Sequence, residues 1–146
     1  MQRKQPHTLQ LITAGNLATN FLEPRITKLE LNITQMHVLI AIRELPINET
    51  GPTSIARNLG LKRPSVTSNL LALTERKLIR AVALSGKKPK FVLTAAGIRT
   101  AKKIDIAVSA IDQLIRYVLP VKEYEFLDQK MPKIVSDLRW KWAKLK

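Results

Sequence analysis

The 146-residue chain contains no cysteine. That excludes disulfides, thiolate metal ligands and thiol-based redox chemistry. Only two histidines are present, His7 and His37, too few and too far apart to argue for a metal site. No apolar run reaches the roughly 18 residues that a membrane span needs. The basic start, MQRKQPHTLQL, leads into a polar-interrupted helical pattern and not a continuous apolar segment, so no signal peptide is read there. The marks of an enzyme are missing as well: there is no Gly-rich phosphate loop, nucleophile elbow, metal-ligand spacing or carboxylate pair placed for acid–base work. The expectation is a soluble, cytoplasmic protein that is not an enzyme and carries no cofactor and no metal. Its length fits one domain, or two lobes sharing one core.

Acidic residues are scarce too, 11 against 25 Lys and Arg, for a net charge of +14. The imbalance is local. Between Gly51 and Thr94 stand nine basic residues and one acid, Glu75, so +8 of the +14 falls on 44 residues. Concentrated positive charge distinguishes a polyanion-binding face from a merely solvated surface, and nucleic acid is the commonest polyanion.

The rest of the pattern is mostly helical. Leu9 to Leu22 predicts a helix that ends or kinks near Pro24. Asn32 can cap the next helix, with Gln35 at the reciprocal capping-box position; Ile33, Met36, Leu39 and Ile40 follow the helical period until Pro46. Gly51 and Pro52 suit the cap and first position of a short helix, Ile55, Ala56 and Leu59 its inner face, and Gly60 the left-handed turn after it. A second helix then runs from about Arg63 to Lys77. Two helices joined by a short Gly-containing turn are the helix-turn-helix signature. Next come two β-like runs, Ile79–Leu84 and Lys90–Leu93, around the turn SGKKP, a two-stranded hairpin with a basic tip. The fold class expected is therefore mainly α with a small β-hairpin wing: a winged helix-turn-helix lobe over 31–94.

Thr94 is a candidate cap for a long helix in which Ile104, Val108, Ile111, Ile115 and Val118 recur at steps of 4, 3, 4 and 3, closed by Pro120. A last helix carries Leu127, Met131, Ile134, Leu138 and Trp142, with Pro132 expected to bend or interrupt it. These helices are more apolar than one small lobe can cover. Residues 1–30 and 95–146 are read as a helical dimerisation region, with Ile111, Ile115, Val118, Leu127, Met131, Ile134, Leu138 and Trp142 at a symmetric homodimer interface. A closed monomeric bundle is the alternative. The tail RWKWAKLK also suits a membrane surface, but Trp142 continues the packing stripe, and dimer packing or an extra DNA-facing edge is preferred.

In the helix from Arg63, Val66, Leu70 and Leu73 form an apolar stripe, while Ser65, Ser68, Asn69, Ala72 and Arg76 lie on another side. Thr67 falls on a third stripe with Arg63 and Leu71. Small polar side chains let a helix sit deep in the major groove, and Asn pairs with adenine in a bidentate manner. Ser65 and Thr67 read equally well as capping groups; Asn69 is the sharper candidate for a base contact. Lys62 and Arg63 are placed at the DNA backbone or, for Arg63, a guanine edge. Thr53 and Ser54 are candidate phosphate contacts at a helix start. Lys87, Lys88 and Lys90 lie on the wing. His37 and Arg43 are candidates for an effector site, Arg43 for a carboxylate, although a surface histidine and a surface ion pair are the simpler reading.

This order of elements resembles the MarR family of bacterial transcription regulators. The matching residues are LNITQ at Leu31–Gln35, SIARNLGL at Ser54–Leu61, SVT at Ser65–Thr67, LTERKLI at Leu73–Ile79 and LTAAG at Leu93–Gly97. Beyond them the likeness is one of helix order and length. The resemblance implies a homodimer on a pseudo-palindromic double-stranded DNA operator, often a repressor released by a small aromatic or anionic effector bound between the dimer helices and the DNA-binding lobe. Two departures stand out. The family's wing usually carries an Asp-x-Arg or Asp-Arg-Arg element where this chain has Ser85, Gly86 and Lys87, so Lys87 or Lys88 replaces the minor-groove arginine. Lysine is a more strongly hydrated point charge and a poorer minor-groove reader. Lys77 stands where the family tends to have Gly. A sequence-tolerant architectural protein, or a plasmid or phage replication accessory, is therefore the alternative function.

Overall fold

The computed structural model describes residues 4–145. Met1, Gln2 and Arg3 of the basic N-terminal segment and Lys146 of the tail lie outside the described residues. Six helices and one hairpin follow in the order α1 (His7–Thr27), α2 (Ile33–Glu44), a 3-10 turn (Ile47–Glu49), α3 (Pro52–Leu59), α4 (Arg63–Glu75), β1 (Ile79–Val82), β2 (Lys90–Leu93), α5 (Ala95–Val118) and α6 (Val121–Lys144). This is the winged helix-turn-helix arrangement expected from the sequence.

Local chemistry sets most of the boundaries. Asn32 Oδ1 accepts the Gln35 amide at 2.7 Å and Gln35 Oε1 accepts the Asn32 amide at 3.0 Å, a complete capping box at the start of α2. Pro52 opens α3 behind Gly51, and Gly60 closes it at φ +66°. Thr94 Oγ1 accepts the Gly97 amide and caps α5. Neither proline ends its helix, so the expected stop near Pro24 and interruption at Pro132 do not occur. α1 continues through Pro24 to Thr27, because burial of Leu22 and Ile26 on either side holds its last turn in the core. α6 runs uninterrupted through Pro132. In both cases the carbonyl that loses its partner belongs to an exposed residue, Asn20 or Asp128, where water can satisfy it.

One core unites the chain. Ile26 of α1, Val38 and Leu39 of α2, Ile55 of α3, Val66 and Leu73 of α4, Ile79 of β1 and Ile104 of α5 are all fully buried in it. The helical region therefore shares its packing with the winged lobe. α6 differs: none of its described residues is buried.

The wing is fastened at both strands. β1 and β2 pair antiparallel from Ile79 opposite Leu93 to Val82 opposite Lys90. The buried Thr50 donates through Oγ1 to the Ile47 carbonyl at 2.8 Å and accepts the Phe91 amide at 3.1 Å, tying β2 to the 3-10 turn. At the other end, the Leu78 carbonyl accepts the Thr94 amide at 3.0 Å, and Thr94 Oγ1 donates to the Lys77 carbonyl at 2.6 Å. Lys77 makes the turn between α4 and β1 at φ +58°, a left-handed conformation that costs a non-glycine residue about 1–2 kcal/mol. The first turn of α5 lies so close to this turn that a Cβ on Gly97 would stand 2.0 Å from the Leu78 carbonyl oxygen.

Gly97→Ala must therefore separate α5 from the α4–β1 turn. The expected loss is about 1–3 kcal/mol or more, as for other overpacked sites, measured by urea denaturation; an unchanged midpoint would show that the approach is not required.

Candidate nucleic-acid interface

The helix-turn-helix is built from α3, the Gly60 turn and α4. Pro64 falls in the first turn of α4, where backbone amides lack intrahelical partners anyway. Val66, Leu70 and Leu73 are buried and fix the roll of α4 about its axis. With about 100° per residue, the direction opposite this stripe passes between Pro64, Ser68 and Leu71, all of which are exposed. Thr67 is exposed beside them, whereas Asn69 lies at the flank and is half-buried. The outward face is thus rotated from the expected one: Leu71 is on it, Thr67 and Ser65 are exposed at its two sides, and Asn69 lies beyond Ser65 at the flank.

Several polar groups on this helix are turned back on its own backbone, whereas Ser65 is exposed. Thr67 Oγ1 donates to the Arg63 carbonyl at 3.0 Å. Ser68 Oγ and Asn69 Nδ2 both donate to the Ser65 carbonyl, at 3.1 and 2.8 Å. Such back-bonding occupies the hydroxyl donors of Thr67 and Ser68 and one of the two amide hydrogens of Asn69. Freeing one means giving up a hydrogen bond worth about 1 kcal/mol net.

The basic residues divide by position. Lys62 and Arg63 are exposed at the N-terminus of α4, where the helix dipole adds to their positive potential. Thr53 is exposed and Ser54 half-buried in the first turn of α3. Thr53, Arg57 and Arg63 line a cavity of about 380 Å³ with Ala56, Trp142 and Ala143. Lys87 and Lys88 are exposed at the wing tip after Gly86, which turns at φ +67°. Lys90 is half-buried, its stem lying over the backbone of Gly51. Arg76 is placed differently from the other basic candidates. Its guanidinium donates to the Glu30 and Leu29 carbonyls and lies 3.5 Å from the Glu30 carboxylate, which joins the end of α4 to the α1–α2 turn.

The two effector candidates also sit apart in character. Arg43 grips Asp105 of α5 with two hydrogen bonds, at 2.7 and 2.9 Å, and Glu44 at 2.9 Å. The hydrogen bond to Asp105 is the main reason its pKa is raised. His37 is exposed at its edge, yet crowded enough that desolvation holds its pKa below that of free histidine. Among the described residues there is no cluster of acidic and imidazole side chains fit to hold a metal, and no helix is long and apolar enough to cross a membrane.

The proposed dimer residues fall into two groups. Ile111, Ile115, Leu127, Met131 and Trp142 are half-buried within the chain; Val118, Ile134 and Leu138 are exposed. Exposed apolar surface extends further than expected, with Ile106 72% and Val118 74% exposed on α5. An apolar cleft of about 750 Å³ between α1, α5 and α6 is lined by Leu11, Ile115, Leu127, Met131 and Val135 among others. The far end of α6 meets the helix-turn-helix, where Arg139 Nε donates to the Asn58 carbonyl at 2.7 Å. Sequence reasoning missed Arg57, Leu71 and Arg139 as parts of this region. The phase of the Val66–Leu70–Leu73 stripe carried enough information to find Leu71; nothing local marked Arg139.

Arg76→Ala removes charged hydrogen bonds worth about 1.5–3 kcal/mol each at most, and its partial exposure reduces that. A loss of about 1–2 kcal/mol in thermal or urea unfolding is expected; no loss would mean that the link to the α1–α2 turn is idle.

No family model and no curated protein matches the chain by sequence. Solved structures match it closely in shape. MepR of Staphylococcus aureus in complex with DNA superposes with a TM-score of 0.75 at 18% identity, over 91% of this chain and 96% of that one. A MarR-family transcriptional regulator from Rhodococcus sp. RHA1 gives 0.77 at 15% identity, over 90% and 98%. A MarR-family protein of Mycobacterium tuberculosis in complex with p-aminosalicylic acid gives 0.73 at 18% identity, over 89% and 98%. The chain has the winged-helix fold of MarR-family regulators along nearly its whole length.

Proposed function

We propose that this protein is a homodimeric, sequence-specific DNA-binding transcription regulator, most simply a cytoplasmic repressor without enzymatic activity. The observation that carries this reading is a coincidence of fold and charge. The +8 segment maps onto the helix-turn-helix and wing, the part of the fold that offers a protruding helix to a major groove. α4 enters the groove, Lys62, Arg63 and Thr53 meet the backbone at its start, and Lys87 and Lys88 reach the flanking backbone or minor groove.

Dimerisation rests on the uncovered apolar surface. A 24-residue helix with no buried residue, facing an apolar cleft, has little to hold it unless another surface covers it. A second copy joined through α1, α5 and α6 fits a two-fold pseudo-palindrome. The division into a DNA-binding lobe over 31–94 and a dimerisation region over 1–30 and 95–146 belongs to the same reading. A small aromatic or anionic effector is supported by the M. tuberculosis neighbour with p-aminosalicylic acid. At His37 and Arg43, an effector carboxylate would have to displace Asp105 from Arg43, which would pull on α5.

The wing tip, whose cations are the lysines Lys87 and Lys88, and the back-bonded polar groups of α4 favour a second reading, a sequence-tolerant DNA-binding protein. Capture of genomic fragments at moderate salt, followed by sequencing, separates the two. A regulator recovers a discrete motif, preferred over random DNA by roughly a thousandfold or more; a diffuse, motif-free population would sink the regulator reading.

Lys87→Ala combined with Lys88→Ala is expected to weaken binding on all duplexes. The slope of log affinity against log salt should flatten by about 1 for each lysine engaged. A slope equal to the parent's would remove the wing from the interface.

A further inference from the structure

Leu71 is 62% exposed on the outward face of α4. A single exposed leucine is ordinary on a protein surface; its placement is not. Pro64, Thr67, Ser68 and Leu71 stand at positions i, i+3, i+4 and i+7, one face of one helix. The same spacing carries base contacts in recognition helices that lie along the major groove. The buried stripe opposite prevents the helix from rolling this face away.

On that face the hydrogen-bond donors are occupied. Thr67 Oγ1 and Ser68 Oγ are bound to carbonyls of their own helix. With its hydroxyl held back, Thr67 offers its methyl group. The face therefore presents carbon: the Pro64 ring, the Thr67 methyl and the Leu71 side chain. Glu75, one turn beyond Leu71, is exposed and is the only acid between Gly51 and Thr94. Glu75 disfavours close approach of a polyanion at its own turn of this face, so contact centres on the turns up to Leu71.

In the major groove the group that an apolar side chain distinguishes is the C5-methyl of thymine. We propose that Leu71, assisted by the Thr67 methyl, is a specificity-determining residue that reads thymine methyl groups. This inference rests on the DNA-binding reading above. It assigns sequence preference to apolar contact, while the surrounding lysines and arginines supply affinity without choosing among bases.

The test uses the full-length protein and its Leu71→Ala variant, checked for an unchanged fold by circular dichroism. Preferred duplexes are selected from a random library with the parent protein, and each thymine is then replaced in turn by deoxyuridine, which lacks only the methyl. The parent is expected to lose about three- to fivefold in affinity at one or two thymines per half-site, the size of one buried methyl. Leu71→Ala should bind the original duplex more weakly and show no further loss at those positions. Asn69→Ala should keep the parent's thymine sensitivity. Equal sensitivity in the parent and Leu71→Ala, or indifference of the parent to every replacement, overturns the inference. Binding without any sequence preference overturns it while leaving DNA binding intact. Failure to bind any duplex overturns the DNA-binding reading along with it.

Discussion

The geometry of the winged lobe depends on one close approach, that of the α5 N-terminus to the carbonyl of Leu78. That carbonyl stands in the turn after α4, accepts the Thr94 amide and leaves no room for a side chain on Gly97. Thr94 adds a bond to the Lys77 carbonyl while capping α5. One short stretch of backbone thus sets three directions: how α4 leaves the core, where the wing starts and where the long helix points. The left-handed Lys77 is tolerated because this network over-determines its conformation.

The lobe separates two tasks that basic DNA-binding surfaces often combine. Charge is at the rim, at Lys62 and Arg63 and on the wing, where under the proposed function it would meet backbone whatever the base sequence. The middle of the protruding helix is small and carbon-rich, with its hydroxyls satisfied internally. Under the proposed function such a surface would enter a groove without first breaking its own hydrogen bonds, and a mismatch with the DNA would cost it packing rather than an unpaired polar group.

Much of this was legible in the sequence because the signals were local. Asn32 with Gln35, Gly51 with Pro52, Gly60 and Thr94 each mark a boundary by backbone chemistry that needs no distant partner. The wing was legible from the change of period and the SGKKP turn. What escaped depended on tertiary contact. Pro24 and Pro132 look like breaks until burial or solvation of the neighbouring backbone is known. Asn69 looked outward by type, but the helical phase places it at the flank and its amide folds back onto Ser65. Arg76 looked like one more DNA-facing cation, yet its carbonyl partners at Leu29 and Glu30 are 47 and 46 residues away in sequence. Arg43 meets Asp105 across 62 residues, a separation that no window of sequence covers.

α6 is a rod of 24 residues, about 36 Å long at 1.5 Å per residue. One end hangs from the Pro120 corner, and near the other Arg139 is bound to the last turn of α3 through the Asn58 carbonyl. That makes it a lever arm. A tilt of only about 5° at the corner moves the far end of such a rod by about 3 Å, as large as the hydrogen bond that fastens it. Small displacements where α5 and α6 meet would therefore be magnified toward α3 and the Arg139–Asn58 hydrogen bond.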